Sequence, residues 1–216
     1  MKIYMRNSYE TEIKEADVSI FMDIFRASTT INYIFKWRPA HVVGVNTLDD
    51  AKMWMRRGYL LVSEVFDGGF DNSPSAMRDT NLDGKKLVHK STNLTNAVFS
   101  KATISEGMVA GFVNIDQIKN YILQQKFSMV EIVMAASFAQ HKEAIEDRSC
   151  AQFLQALLLG ESPSEYPFMS QIKKKIETVE TRVDLAEDIK LSLERNTLDA
   201  LVRVRYLDHK TVEYFV

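Results

Sequence analysis

VSIFMDIFRASTTINYIF, residues 18–35, is the stretch whose reading decides the fold. Its opening apolar run has the length of a buried strand. Ile31, Ile34 and Phe35 are spaced for one face of a helix. The stretch therefore reads as a strand over 18–23 and a helix over 28–37. Asp23 falls at the strand end, and Ser28, Thr29 and Thr30 fall at the helix start. In an open α/β sheet, ligands bind outside the carboxyl ends of strands. A helix start offers unpaired N–H groups and a partial positive charge, which suit an anion. Arg26 adds a planar cation able to grip two oxygens at once. An acid, a guanidinium and a run of hydroxyls suggest a metal-plus-phosphate site. The plain structural alternative is Ser28 or Thr29 as an N-cap, beside a surface arginine and a strand-end aspartate.

Outward from this stretch the same alternation continues. Residues 1–12 hold a short first strand and a turn. Pro39 stops the first helix, and His41 to Val45 reads as a strand. Thr47 is an N-cap for a helix that Arg56, Arg57 and Gly58 close. Tyr59 to Val62 is a short buried strand. SEVFDGGFDNSP, 63–74, is a loop by its glycines, acids and proline. Lys86 to His89 is a strand leading into STNLTNA, 91–97, a second strand-to-helix turn. Met108 to Val113 is another strand, and Asn114 caps a helix carrying Ile115, Ile118, Tyr121 and Ile122. Met129 to Ala135 is a strand, and 142–159 is the clearest helix of the chain. After SPSEYP, 162–167, come a charged helical region over 168–195 and strands at 201–206 and 211–216.

Short apolar runs alternating with amphipathic helices predict a three-layer α/β/α fold with a largely parallel or mixed central sheet, C-terminal helices and a short β-hairpin. Residues 1–160 are expected to form the core. Residues 161–216 are expected to be an extension packed on it, either a small subdomain or an antiparallel edge to the sheet.

The chain has 216 residues, enough for a sizeable core, with 46% hydrophobic and 26% charged residues and a net charge of -2. Without a strong basic field, nucleic acid is not the expected partner. A single cysteine, Cys150, allows no intrachain disulfide and suits a reducing, cytoplasmic setting. The first residues lack the apolar core of a signal peptide, and no apolar run reaches the length of a membrane span. The ten methionines and the aromatics are compatible with a homo-oligomer, though core packing is their ordinary use.

Four polar segments follow predicted strands: Asp23 to Thr30, Glu64 to Ser73, Ser91 to Thr95, and Ser137 to Asp147. In a parallel sheet all four share one edge. Asp23 and Glu64 can then share a hard cation such as Mg2+, which prefers oxygen ligands. Asp71 lies where glycines allow close approach to a ligand, and Asp67 reads as a turn residue. Asn72 and Ser73 can cap a short helix starting at Pro74. Ser91, Thr92, Asn93 and Thr95 supply donors for a second anion grip or for plain capping. Asp147 lies one turn before Cys150 on the apolar side of its helix, where an acid ordinarily meets a cation. Glu146 points roughly 100° away. His41, His89, His141 and His209 are scattered without metal-binding spacing, and Cys150 reads as a buried small residue.

Taken in order, DIFRASTT (23–30), SE (63–64), GFDNSP (69–74), STNLT (91–95) and EDRSCA (146–151) resemble the motifs of the 2-phosphosulfolactate phosphatases. The resemblance covers roughly residues 15–160. It implies an α/β fold and a Mg2+-dependent phosphatase. Its family substrate is 2-phospho-3-sulfolactate, hydrolysed to 3-sulfolactate and phosphate on a route to coenzyme M. The chain departs from the family pattern in several places. Leu94 stands where the family has a glycine, and the G-F-D loop is shorter. AASFAQHKEAI, 135–145, replaces a glycine-rich strand end, and no S-x-H-G element follows Gly160.

The assignment is Asp23, Glu64 and Asp147 for the metal or its waters, and Asp23, Arg26 and Glu146 for catalysis. Ser28, Thr29, Thr30, Asp71, Asn72, Ser73, Thr92, Asn93 and Thr95 are assigned to a small anionic organophosphate. Asp23 as a nucleophile remains open, though the second acid that haloacid-dehalogenase phosphatases carry two residues on is Phe25 here. The competing readings are a non-catalytic anion-binding relative of the family and a phosphatase for another organophosphate.

Overall fold

The computed structural model of the chain describes residues 1–65, 68–179 and 183–216. Asp67 lies outside these residues, as do 180–182 of the expected charged helical region. The described residues form strands β1 (Lys2–Asn7), β2 (Val18–Met22), β3 (His41–Val45), β4 (Leu60–Ser63), β5 (Lys86–Lys90), β6 (Gly107–Val109), β7 (Met129–Met134), β8 (Arg203–Tyr206) and β9 (Thr211–Phe215). The helices are α1 (Ala27–Phe35), α2 (Leu48–Arg56), α3 (Pro74–Asp79), α4 (Leu94–Phe99), α5 (Ile115–Gln125), α6 (Ile145–Leu158), α7 (Met169–Val179) and α8 (Val183–Leu193). Among the described residues no helix is long and apolar enough to cross a membrane.

Local chemistry explains most boundaries. Thr47 caps α2 by accepting the Asp50 N–H at 3.1 Å, and Ser73 caps α3, with Pro74 in its first turn. Gly58 ends the α2 unit with φ +86°, a conformation that favours glycine. The expected strand over 108–113 is shorter than its apolar run. The Asn114 side chain accepts the Gly111 N–H at 2.9 Å and donates to the Val109 carbonyl at 3.2 Å. That closes a 3-10 turn over Phe112–Asn114. The helix expected from 142 begins at Ile145 because 137–142 form a tight turn, with Ser137 N–H donating to the Lys142 carbonyl at 2.8 Å.

All nine strands join one sheet in the order β1-β7-β2-β6-β8-β9-β3-β5-β4. β1, β7, β2 and β6 are parallel to one another, as are β3, β5 and β4. The hairpin β8–β9 lies between these blocks, pairing antiparallel with β6 on one side and β3 on the other. This corrects the expected antiparallel edge: the last strands complete the middle of the sheet. The reason is packing. Val204, Val212 and Tyr214 are buried in the same cluster as Phe21, Val42, Val62 and Leu87, so the hairpin bridges two half-sheets that each need a partner.

Successive antiparallel pairings across the hairpin also reverse strand direction, so the second block does not continue the first as one parallel sheet. The carboxyl ends of the two blocks still meet: the Leu94 N–H, four residues beyond β5, donates to Asp23, just beyond β2. One sheet face packs on α1, α3 and α4 through Ile31, Met77 and Leu94. The other packs on α5 and α6 beside β2 and β7, through Ile118, Ile122, Phe153 and Leu154, and on α2 beside β3 and β5.

Gly44 of β3 is opposite Val212 of β9, where an added Cβ would lie 2.7 Å from the Tyr214 ring and 2.9 Å from Val212. Gly44→Ala is expected to cost about 1–3 kcal/mol through overpacking at the hairpin. The check is urea denaturation: the midpoint should fall while the slope stays that of the wild type.

Candidate active site

Asp23 follows β2 and is almost fully buried. One oxygen, Oδ2, accepts the main-chain N–H of Leu94 at 3.1 Å. Its own carbonyl accepts the Ser28 N–H at 2.9 Å and the Ser28 hydroxyl at 2.7 Å. Thr29 donates to the Ile24 carbonyl and Thr30 to the Arg26 carbonyl, at 3.3 and 3.1 Å. All three side chains are buried. The hydroxyls expected to grip a phosphoryl group therefore build the turn that presents Asp23 and Arg26. The nearest acceptors are main-chain carbonyls of the same turn, and short hydroxyl side chains take such local partners. The helix itself starts at Ala27, with Arg26 at the N-cap position and neither Ser28 nor Thr29 capping it.

Glu64 follows β4. Its Oε1 accepts the Thr92 N–H, and Oε2 accepts the Asn72 amide at 2.9 Å. Asn72 in turn has its Oδ1 3.4 Å from His89 Nε2. Burial pushes His89 down to about 4, so the ring is neutral near pH 7. Asp147, in the first turn of α6, accepts the Ile24 N–H at 2.8 Å and the Ala136 N–H at 3.0 Å, one on each oxygen. The expected partner of this buried acid was a cation; the structure supplies two main-chain N–H groups. Glu146 is buried beside it. Its Oε1 accepts Lys175 of α7, and Oε2 has no hydrogen-bond partner. Asn93 Oδ1 accepts the Phe138 N–H at 3.3 Å. All four predicted polar segments thus meet, joined by hydrogen bonds between them.

The remaining assigned residues divide by exposure. Thr95 is buried, its hydroxyl donating to the Ser91 carbonyl at 2.6 Å. Asp71, Asn72 and Ser73 hold other side chains: Arg26, Glu64 and Asp188. Thr92 and Asn93 keep partial exposure at the rim. Leu94, which replaces a family glycine, starts α4 and buries its side chain in the main core. Its main-chain N–H donates to Asp23.

Arg26 and Glu146 share the wall of a cavity of about 190 Å3, lined also by Phe25, Lys175, Leu185 and Ile189. The last three belong to α7 and α8. Two ion pairs hold these helices to the site, Lys175 with Glu146 and Asp188 with Arg26. Sequence reading missed Lys175, Ser75 and Asp188. The signal for Asp188 was an acid among Leu185, Ile189 and Ser192 on one side of a helix, the same pattern that singled out Asp147.

The electrostatics reflect the crowding. Burial, then repulsion from Glu64 and Glu146, raises Asp23 from 3.8 to about 7. Burial, then the charges of Asp23 and Glu146, pushes Asp147 well above the ordinary carboxylate range. Burial opposes the Glu64 charge too, but the Thr92 N–H and further favourable contacts outweigh it and leave its pKa lowered. Buried acids perturbed by one another in this way are candidates for a functional site.

The model of the 2-phosphosulpholactate phosphatase family matches residues 4–206. The chain belongs to the 2-phosphosulfolactate phosphatase family. A probable 2-phosphosulfolactate phosphatase of Bacillus subtilis (strain 168) is 27% identical over 167 residues, covering 74% of this chain and 72% of the relative. One from Thermoplasma volcanium is 24% identical over 206 residues, covering 91% and 92%. The relatives' names place the chain in a hydrolase family. The match also reaches past residue 160, so the C-terminal helices and β8 belong to the family fold.

The pKa of Asp23 sets a stability prediction. Its proton is held up to about pH 7 in the folded chain and lost near 3.8 when unfolded. Between these values the folded state binds more protons, so stability falls as pH rises, by up to ~1.4 kcal/mol per pH unit. Asp23→Asn removes this contribution and keeps an oxygen for the Leu94 N–H. In chelator-containing buffer, the D23N protein should melt above the wild type at pH 8 and close to it at pH 4. Equal melting temperatures at pH 8 would contradict the raised pKa.

Proposed function

We propose that this chain is a Mg2+-dependent phosphatase for a small anionic phosphate monoester, with 2-phospho-3-sulfolactate as the substrate the family name suggests. The observation that carries the reading is the gathering of Asp23, Glu64 and Glu146, close enough for the charges of the last two to act on the first. Burial first, and then the charges of Glu64 and Glu146, keep Asp23 protonated to about pH 7, and Glu146 Oε2 is buried without a partner.

These residues fit a magnesium ion. Among the described residues no group of three His, Cys, Asp or Glu side chains stands ready-made for a metal. Magnesium does not demand one: it is commonly held by one or two carboxylates, several waters and substrate phosphate oxygens. Asp23 and Glu64 would hold it. Asp147, with each oxygen bound to a main-chain N–H, supports the loops behind them. Bound there, the ion would offset the charge on the phosphoryl oxygens and make phosphorus more electrophilic.

The chain's own groups supply the rest. Arg26 binds phosphoryl oxygens through N–H groups that its carboxylate partners leave open. Thr92 and Asn93, at the rim, receive the distal anionic groups. Glu146 Oε2 takes a proton from the attacking water. A new P–O bond forms to that water as the ester P–O bond breaks, and the departing alkoxide takes up a proton. The products are an alcohol and inorganic phosphate.

The test is release of phosphate from a panel of small organophosphates, 2-phospho-3-sulfolactate included, with magnesium or with chelator. Turnover should require magnesium. Asp23→Ala and Glu146→Gln should each lower kcat/KM about 100-fold or more. Magnesium should also raise the melting temperature of the wild type at pH 8 and leave D23N unmoved. If no organophosphate is turned over and D23A behaves as the wild type, the phosphatase reading is wrong. Phosphate binding without turnover would favour the anion-binding relative.

A further inference from the structure

Asp188 of α8 is completely buried. A desolvated carboxylate is tolerated only when well paired. Here Oδ2 accepts Arg26 Nη1, and Oδ1 accepts the Ser73 hydroxyl at 2.8 Å, the Ser75 N–H at 2.9 Å and the Ser75 hydroxyl at 2.6 Å. One carboxylate therefore fixes a guanidinium and the start of α3 at once.

Arg26 has a second partner, Asp71, at 3.1 Å from Nη1 and 3.4 Å from Nη2. The two acids are not equivalent. The Asp71 side chain is 46% exposed, that of Asp188 only 1%. Exposed ion pairs contribute little and exchange with water, whereas a buried, multiply bonded carboxylate defines one geometry. Of the five N–H groups of Arg26, Nε–H and one Nη2–H have no partner among the described residues. They are the groups left for an anion, and Arg26 lines a cavity together with Glu146.

We propose that Asp188 is a positioning residue for the reaction. It holds the Arg26 guanidinium so that its open N–H edge receives the phosphoryl group, which makes α8 part of the active site. The arginine side chain carries considerable rotamer freedom, and fixing it in advance removes that cost from binding. The proposal rests on the phosphatase reading for its substrate, and on phosphate binding for its geometry.

The experiment compares wild type, D188N, R26Q and the double variant. It measures affinity for inorganic phosphate by calorimetry with magnesium present, kcat and KM with a phosphomonoester, and melting temperature. Asp188→Asn keeps an oxygen for Ser73 and Ser75 while weakening the hold on Arg26. Phosphate affinity and kcat/KM should each fall at least tenfold in D188N. The double variant should be no worse than R26Q, because Asp188 acts through Arg26. A residue of merely structural importance would lower the melting temperature and add its effect to that of R26Q, and that result overturns the proposal. Wild-type binding and turnover in D188N overturn it too. So does tighter phosphate binding in D188N, which would make Asp188 a competitor of the ligand.

If D188N does not fold, Ser75→Ala carries the test. It removes one donor to the same carboxylate, and should weaken phosphate severalfold in the wild-type background and not in R26Q. Phosphate binding that shows this coupling without any ester turnover would sink the phosphatase reading and uphold the positioning role. A wild type that neither binds phosphate nor hydrolyses an ester overturns both.

Discussion

Main-chain N–H groups hold together carboxylates that repel one another. Leu94 donates to Asp23, Thr92 to Glu64, and Ile24 and Ala136 to Asp147. In all of these but the Ala136 bond, the donor belongs to a different segment from the acid. Hydrogen bonds to ionised acceptors are about twice as strong as neutral ones. Acids of one loop therefore fix the main chain of another, and the loops define the site only as a set. The arrangement also lets two half-sheets of opposite direction share one site, because the crossing bonds run between the loops that follow their strands.

The crowded acids destabilise the fold to some degree, since Asp23 keeps a proton that an isolated aspartate would lose. Local strain of this kind persists where the surrounding structure over-determines it. Here the surroundings are two buried clusters on either side of β2, with Phe21 and Val133 facing one and Ile20, Met22 and Ile132 the other. They are large enough to hold the strand ends in place. Leu94 fits the same account. The site needs a main-chain donor at that position, and a leucine supplies it as well as a glycine does while adding its side chain to the core.

How far the site was legible depends on the range of the interaction. Asp23 and Glu64 could be found because a strand end is a local feature and an acid there is conspicuous. The direction of the Ser28, Thr29 and Thr30 hydroxyls could not be read, because a rotation about one bond decides between a ligand and a carbonyl four or five residues away. Asp71 and Ser73 were legible as loop polar groups. Their partners, Arg26 and Asp188, come from distant segments. Asp188 had the same acid-on-an-apolar-face pattern as Asp147, but nothing nearby in the chain named its partner.

By itself the sequence determined what depends on neighbours along the chain. That includes the alternation of strands and helices from the period of the apolar residues, the caps at Thr47 and Ser73, the buried Cys150, and acids at the ends of β2 and β4. Only the tertiary structure decided what depends on partners. It placed β8–β9 within the sheet rather than at its edge, reversed the second block of strands, turned three hydroxyls inward, and brought Asp188 to an arginine 162 residues away. Periodicity records which face of an element is buried. It carries no record of which element covers that face, and that choice is made by packing and hydrogen bonding across the whole chain.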